Sequence, residues 1–511
     1  MSLISVAAPA PRALLARPYE SYVYAYPHKT AYRPLDPAPA LPEVWRGEQT
    51  DALSLYAHIP FCEVRCGFCN LFTRIGAPDE LTTRYLDALE RQASQTFAAL
   101  EAAAAGRPRV ANAAIGGGTP TFLEAAELSR LLDILETTMG ADLGAIPLSV
   151  EASPSTATPD RLTVLAERGT TRLSLGVQSF DPAEARAAVR PQKAAEVHGA
   201  LAAIRETSIP VLNIDLIYGI DGQTEQSWLA SLDAALSWAP EELYLYPLYI
   251  RPLTGLGRAT AGADAEAVEA GAALEVWDEQ RLRLYRAGRD HLLGNGYEQT
   301  SMRMFRRIEA SGPGGGRAVS APGDGRTENQ LVAGGDYSCQ SDGMIGLGCG
   351  ARSYTTALHY SFDYAVSAHE VRGIIDAYTT TQDFRRAEIG HRLSEDEQRR
   401  RHLLQSLLQA EGLEEDEYAK KFGSSAREDF ARELVLLQER GLLEEAPAAP
   451  SPAASRLRLT PEGLLEEVPA APSPGASRLR LTPEGLAWSD AIGPMLFSEP
   501  VRAAMRAYAL K

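Results

Sequence analysis

From residue 53 onward, short unbroken apolar runs alternate with longer stretches whose apolar residues recur every three or four positions. The runs "LSLYAHI" (53–59), "VANAAIG" (110–116), "IPLSVEAS" (146–153), "RLSLGVQS" (172–179), "VLNIDLIYG" (211–219) and "ELYLYPLYI" (242–250) have the length and character of strands. The amphipathic stretches predict helices over 82–106, 123–139, 158–169, 181–189 with 193–206, 224–238 and 277–295. Thr158 stands where an N-cap belongs. Strands that are apolar throughout, rather than alternating, belong to a parallel sheet covered on both faces. Six β-then-α units therefore predict an α/β fold, a partial (β/α)6 barrel, with chemistry in the loops at the carboxyl ends of its strands.

The flanks read differently. Residues 1–50, rich in proline and tyrosine, form an N-terminal arm ahead of the barrel at 51–300. Tyr19, Tyr22, Tyr24 and Tyr26 of this arm either close over a substrate entrance or pack the arm down. Residues 301–390 form a post-barrel region in which a Gly/Pro-rich insertion at 311–326, read as a surface loop, is flanked by the strand-like pieces "GYEQTSMRMF" (296–305) and "GMIGLGCGARSYT" (343–355). Residues 391–511 read as a small helical, winged-helix-like module. Within it, "GLLEEAPAAPSPAASRLRLTPEGL" (441–464) recurs with slight change at 463–486, a tandem duplication of one wing hairpin. Two copies are too few for a solenoid.

Charge narrows the class. A formal net charge of −17 without a basic stripe argues against nucleic-acid binding and against anionic membrane surfaces. No apolar run approaches the roughly 20 residues of a membrane span. The opening apolar stretch lacks a basic leader and is broken by Pro9 and Pro11, so the expectation is a soluble cytoplasmic protein.

Only five cysteines occur in 511 residues, yet Cys62, Cys66 and Cys69 share one loop directly after the first strand. That use is foreign to a disulfide framework and points to metal. Three thiolates at C-x3-C-x2-C spacing suit three irons of a [4Fe–4S] cube, leaving the fourth iron open to a reactant. Zinc completed by His58 or a distant ligand is the alternative, and three unrelated thiols a further one. The second strand ends in "GGGTPT", Gly116 to Thr121, where glycines expose backbone N–H and C=O groups to a ligand.

Together "FCEVRCGFC", "GGGTPT", "VEASP", "GVQSFD" and "DLIYGIDGQT" resemble the radical S-adenosylmethionine (SAM) enzymes, in particular their oxygen-independent coproporphyrinogen III oxidase-like branch. The resemblance covers roughly residues 50–360. It implies that Cys62, Cys66 and Cys69 ligate the cluster and that SAM chelates the open iron. It implies contacts to SAM from Phe68, Gly116, Gly117, Gly118 and Thr119. Glu151, Gln178, Arg190 and Asp215 would reach its ribose, its carboxylate or a second SAM, and Tyr56 matches a site tyrosine, with Tyr56 and Glu151 as candidate catalytic groups. A sulfonium ligand with a zwitterionic tail calls for carboxylates, one guanidinium and open backbone polar groups. Strand-end capping or ordinary ion pairing is the alternative for each acid, and helix closure for Arg190. Implied partners are a small-molecule substrate and an electron donor such as flavodoxin or ferredoxin.

The chain departs from its relatives in telling places. Leu71 replaces a further cysteine of the coproporphyrinogen oxidases, and the heme-chaperone His-Asn…Tyr-Trp motif keeps only Asn329 and Tyr337. Asp221, Cys349 and Arg352 stand where proline, proline and histidine are usual. These changes weigh against porphyrinogen decarboxylation and against heme or cluster carriage on the same fold. They leave radical chemistry on a small unsaturated or aromatic metabolite, with methyl transfer from a second SAM as the leading outcome. Cys339 and Cys349 follow the barrel, where a thiol would return a hydrogen atom to a product radical. The alternative is a small buried hydrophobe.

Overall fold

The computed structural model describes residues 15–104, 106–260, 267–308, 343–447, 451–459, 465–470 and 477–508. The insertion at 311–326, together with Asn329, Tyr337 and Cys339, lies outside the described residues. The chain forms two compact units. The larger comprises His28–Glu298, Arg303–Ser394 and the chain from Ala503; the smaller comprises the chain to Pro27, Gln299–Met302 and Glu395–Arg502. The first fifty residues are thus shared between the units.

In the larger unit the apolar runs form strands β1 (Leu53–Ile59), β2 (Val110–Gly117), β3 (Leu148–Ala152), β4 (Arg172–Gln178), β5 (Val211–Tyr218) and β6 (Glu242–Pro247). They pair in parallel in that order. Residues such as Leu55, Ile115, Val150, Leu173, Ile214 and Leu243 are fully buried, which is why their runs are apolar throughout. The helices between them are α1 (Asp79–Ala103), α2 (Ala125–Asp133), α3 (Pro159–Glu167), α4 (Pro182–Ala187), α5 (Ala194–Arg205), α6 (Glu225–Leu236), α7 (Gly255–Thr260) and α8 (Ala267–Gly294). Thr158 occupies the N-cap position of α3 with extended backbone, without a capping side-chain bond.

The sheet extends past the six units. After β7 (Met304–Arg307), which runs antiparallel to β6, the short strand β8 (Met344–Leu347) joins β1 in parallel on the opposite flank. It then turns through β9 (Arg352–Tyr354), β10 (Leu358–Ser361) and β11 (Ile389–Arg392), paired antiparallel in sequence. The turn from β8 to β9 therefore lies beside the end of β1, where the cysteine loop begins.

In the smaller unit, helices between Glu395 and Glu439 accompany a three-stranded antiparallel sheet of Leu413–Glu414, Ser477–Leu481 and Leu443–Pro447. Tyr19 and Tyr26 are buried in this unit, and the Tyr26 ring meets that of Phe497 at 5.1 Å, tilted by 53°. The repeat has a simple geometry. Leu443 pairs with Leu481 and Glu444 with Arg480; one period later, Leu465 pairs with Leu459 and Glu466 with Arg458. Each copy thus presents the same cross-strand partners, and the duplication inserts a hairpin without changing register.

Candidate active site

The three thiols sit on a loop fastened at both ends. Phe61–Cys62 pairs in parallel with Arg74–Ile75 as the chain leaves β1 and returns. In the middle, the N–H of Gly67 donates to the carbonyls of Ala188 and Val189, and its carbonyl accepts from Leu256 at 2.8 Å. A Cβ on Gly67 would lie 2.7 Å from that of Val189, so only glycine permits this approach. Phe68, between the second and third cysteines, packs on the cluster of Ala188, Ile217, Ile220 and Leu248 and anchors the loop to the far side of the barrel mouth. On the near side, Arg65 donates to Val366 O at 2.6 Å and Tyr364 to Asn70 O at 2.8 Å.

The glycine turn braces this loop. Gly118 and Thr119 donate their N–H groups to Ile59 and Phe61, and the Thr119 hydroxyl lies 3.5 Å from Cys62 Sγ. Gly117, with φ +114°, donates to Glu151 Oε2 at 3.0 Å. A side chain at Gly116 would strike the Glu151 carboxylate, and one at Gly117 the His58 ring. His58 is sandwiched: Tyr56 hydroxyl to Nδ1 at 3.2 Å, Nε2 to Phe72 O at 3.1 Å. Burial depresses its pKa to about 4, so it is neutral, its Nε2 donating to the Phe72 carbonyl. Both nitrogens are engaged in this way, which removes His58 as a fourth zinc ligand. Among the described residues no three His, Cys, Asp or Glu side chains converge on one point to hold a single ion.

Farther round the mouth, Gln178 ends β4 at a bulge with φ +72°. Gln192 supports that bulge by donating to the carbonyls of Val177 and Ser179, both at 2.9 Å. Arg190 spans from Gln192 and the Gly176 carbonyl to Cys66, donating Nη1 to Sγ at 3.1 Å. Asp215 accepts from Ser174 at 3.1 Å and Asn213 at 2.7 Å. Arg172 enters the same layer, bound to Glu242 at 2.6 Å and Ser149 at 3.0 Å. Burial, with Asp215 nearby, pushes the Glu151 carboxyl up to about 7; Asp215 is raised as well, chiefly by burial. Arg172 and Gln192 carry no motif signal, one opening a strand and the other following a Pro in a polar loop.

A cavity opens here, walled by Tyr56, His58, Phe72, Gly117, Glu151 and, from the β8–β9 turn, Gly350. Lys29, Leu71, Arg352 and Tyr364 complete the lining. Cys349 does not reach it. Its thiol is fully buried with Tyr85 Oη 3.8 Å away, and burial raises its pKa, so the geometry is that of a packing group rather than a hydrogen donor to the cavity.

Comparison with known proteins agrees with this architecture. The Radical SAM superfamily pattern matches residues 56–235. The heme chaperone HemW of Bacillus subtilis is 26% identical over 402 residues, covering 78% of this chain and 94% of its own. The oxygen-independent coproporphyrinogen III oxidase of Paracoccus denitrificans is 29% identical over 396 residues, covering 75% and 78%. The solved coproporphyrinogen III oxidase (HemN) of Escherichia coli superposes with a TM-score of 0.64 at 22% identity, over 89% of this chain and 92% of that one. An open parallel barrel with three thiols at its carboxyl mouth and this matching span identify residues 56–235 as a radical SAM domain. Within that superfamily the chain is similar to the oxygen-independent coproporphyrinogen III oxidases and the heme chaperone HemW.

The cofactors of that superfamily are a [4Fe–4S] cluster and SAM. The site fits the cluster. Burial pushes the Cys62 thiol up to about 12 and raises Cys69, and the neighbouring thiolates raise both further. Such thiols ionise together only around a cationic centre. A cube binds each at a different iron, in keeping with a loop whose thiols do not converge on one ion. Among the described residues no helix is long and apolar enough to cross a membrane.

Proposed function

We propose that this chain is an enzyme that reductively cleaves SAM and acts on a small unsaturated or aromatic metabolite. Cys62, Cys66 and Cys69 would hold the cluster, and electrons would arrive from a small donor such as flavodoxin or ferredoxin. When bound, cluster and SAM supply a 5′-deoxyadenosyl radical able to take a hydrogen atom. The observation that carries the reading is the placement of the pinned thiol loop against a cavity lined by Gly117 and Glu151. The backbone of Gly116–Gly118 and the Glu151 carboxylate would receive SAM's amino-acid end, Asp215 and Gln178 its ribose. Thr119 fixes Cys62 and Phe68 anchors the loop, so both would position rather than react. Tyr56, hydrogen-bonded to a neutral His58, offers a held hydroxyl at the cavity wall.

The cleft beside the pinned loop would also receive the substrate, next to the amino-acid end of SAM. Methyl transfer from a second SAM is the outcome we favour. The test is anaerobic incubation of reconstituted, reduced protein with methyl-deuterated SAM, followed by mass detection. 5′-Deoxyadenosine that disappears in Cys62→Ala supports cleavage. Accompanying S-adenosylhomocysteine with label in the product supports methylation, and unlabelled product rules it out. The match to a heme chaperone favours a second reading, carriage of heme without turnover, which predicts heme binding and no deoxyadenosine.

A further inference from the structure

Two cations face the cavity from elements far apart in the chain. Lys29 opens the short helix Lys29–Ala31, and its Nζ stands 3.6 Å from the centre of the Tyr364 ring. Arg352 opens β9, held through Nε by the Tyr354 hydroxyl at 3.0 Å. Both line the cavity, alongside Tyr364 and Phe72, whose rings are 6.2 Å apart. Among the described residues the acid in the lining is Glu151, which is bound to Gly117 beside the cysteine loop.

We infer that Lys29 and Arg352 form a carboxylate-receiving wall, so that the substrate of this site is a small unsaturated or aromatic acid. The inference rests on the reading above that the cavity receives the substrate. Like charges sharing a partly enclosed space repel, and an anion between them offsets that cost. A guanidinium meets a carboxylate through two parallel N–H bonds, and an ammonium adds a point charge from the side. Tyr364 supports this arrangement twice: its ring face attracts Lys29, and its hydroxyl ties the ring to the cysteine loop at Asn70. With Phe72 and Leu71 it gives an apolar side against which an unsaturated body can lie while its acid end points to the cations.

A carboxylate has two sources here, the substrate or the amino-acid end of a second SAM. The experiment separates them. Full-length reconstituted protein, saturated with SAM and without reductant, is titrated calorimetrically with benzoate and cinnamate and with benzamide and cinnamamide. Lys29→Gln, Arg352→Gln and Arg352→Lys are measured alongside, with SAM affinity and stoichiometry from equilibrium dialysis and a thermal melt for each. Expected is binding of at least one acid, about tenfold or more tighter than its amide. Lys29→Gln and Arg352→Gln lose about tenfold or more for that acid, Arg352→Lys loses less, and SAM binding stays as in the unsubstituted protein. Equal binding of acid and amide, no binding of either acid at millimolar concentration, or variants that lose an equivalent of SAM instead would each overturn the assignment. Deoxyadenosine formation by the unsubstituted protein tests the reaction class separately, so failure of the wall leaves that reading standing and failure of cleavage is seen independently.

Discussion

Arg190 donates Nη1 to the Cys66 sulfur at 3.1 Å while its other nitrogens bond Gln192 and the Gly176 carbonyl. The guanidinium is thereby fixed against a sulfur proposed to ligate the cluster by the same segment that shapes the bulge at Gln178. A charged donor on a ligating sulfur stabilises the more negative, reduced form of a cluster. Arg190→Met is therefore expected to lower the reduction potential of the SAM-free cluster by on the order of 60 mV, the equivalent of one charged hydrogen bond. A redox titration followed by electron paramagnetic resonance reads this directly. A guanidinium serving only SAM's carboxylate leaves the SAM-free potential unmoved.

Glu151 sets a pH dependence. Its carboxyl is pushed up to about 7, chiefly by burial, so it is mostly neutral below that pH and ionised above. SAM brings a cationic sulfonium and amine N–H donors, both of which favour the ionised form, so SAM affinity should rise as pH climbs through about 7 and level off beyond. Below the midpoint the loss approaches about tenfold per pH unit. Dissociation constants measured over roughly pH 5.5 to 8.5 test this, and Glu151→Gln should flatten the profile. A step that persists in Glu151→Gln assigns the titration to another group.

Much of this site was written in the sequence because barrel strands and the loops behind them are local. The run 53–59 is β1 residue for residue, and the loop after it holds the thiols. Where signals failed, the cause is non-local pairing or weak periodicity. The helix expected from 277 begins at Ala267, since its Ala/Gly-rich lead-in carries no apolar stripe. Met344–Leu347 is four residues long, and only its pairing with distant β1 makes it a parallel strand. Lys29 and Arg352 look like ordinary surface cations until the fold sets both against one cavity. Cys349, singled out for its chemistry, is claimed by packing against Tyr85.

Gly118 tests how tightly the two loops fit. A Cβ there would stand 2.6 Å from the Phe61 carbonyl oxygen and 2.9 Å from that of Ile59, both backbone atoms of the strand that delivers Cys62. Backbone cannot step aside as a side-chain tip can, so Gly118→Ala must displace the cysteine loop, at an overpacking cost of about 1–3 kcal/mol. The expected outcome is a folded protein that retains little iron and sulfide after reconstitution. Gly199 is the control: it sits exposed within α5 with nothing within 4 Å, and Gly199→Ala should gain about 0.5–1 kcal/mol with iron content unchanged. Full iron content in Gly118→Ala would mean that the glycine serves a turn rather than a close approach.

Glu184 is the least conspicuous residue on which the motifs depend. Buried at 4% exposure, its carboxylate accepts from Ser179 and Ser227, each at 2.6 Å, and from Gln223 at 3.0 Å. Those donors belong to "GVQSFD", to the first turn of α6 and to "DGQT", and Gln223 in turn accepts from the Gly219 N–H at 2.7 Å. One carboxylate thus ties the loop carrying Gln178 to the loop that follows β5. Glu184→Ala leaves buried donors without their acceptor and should cost about 3 kcal/mol or more, read from the urea midpoint. Glu184→Gln keeps the volume and one acceptor oxygen, and should lose less. If the network only stabilises the fold, SAM affinity measured well below the unfolding range will be unchanged in Glu184→Gln. A weaker affinity there, with Gln178 and the β5 loop loosened together, makes Glu184 a positioning residue for the cofactor as well.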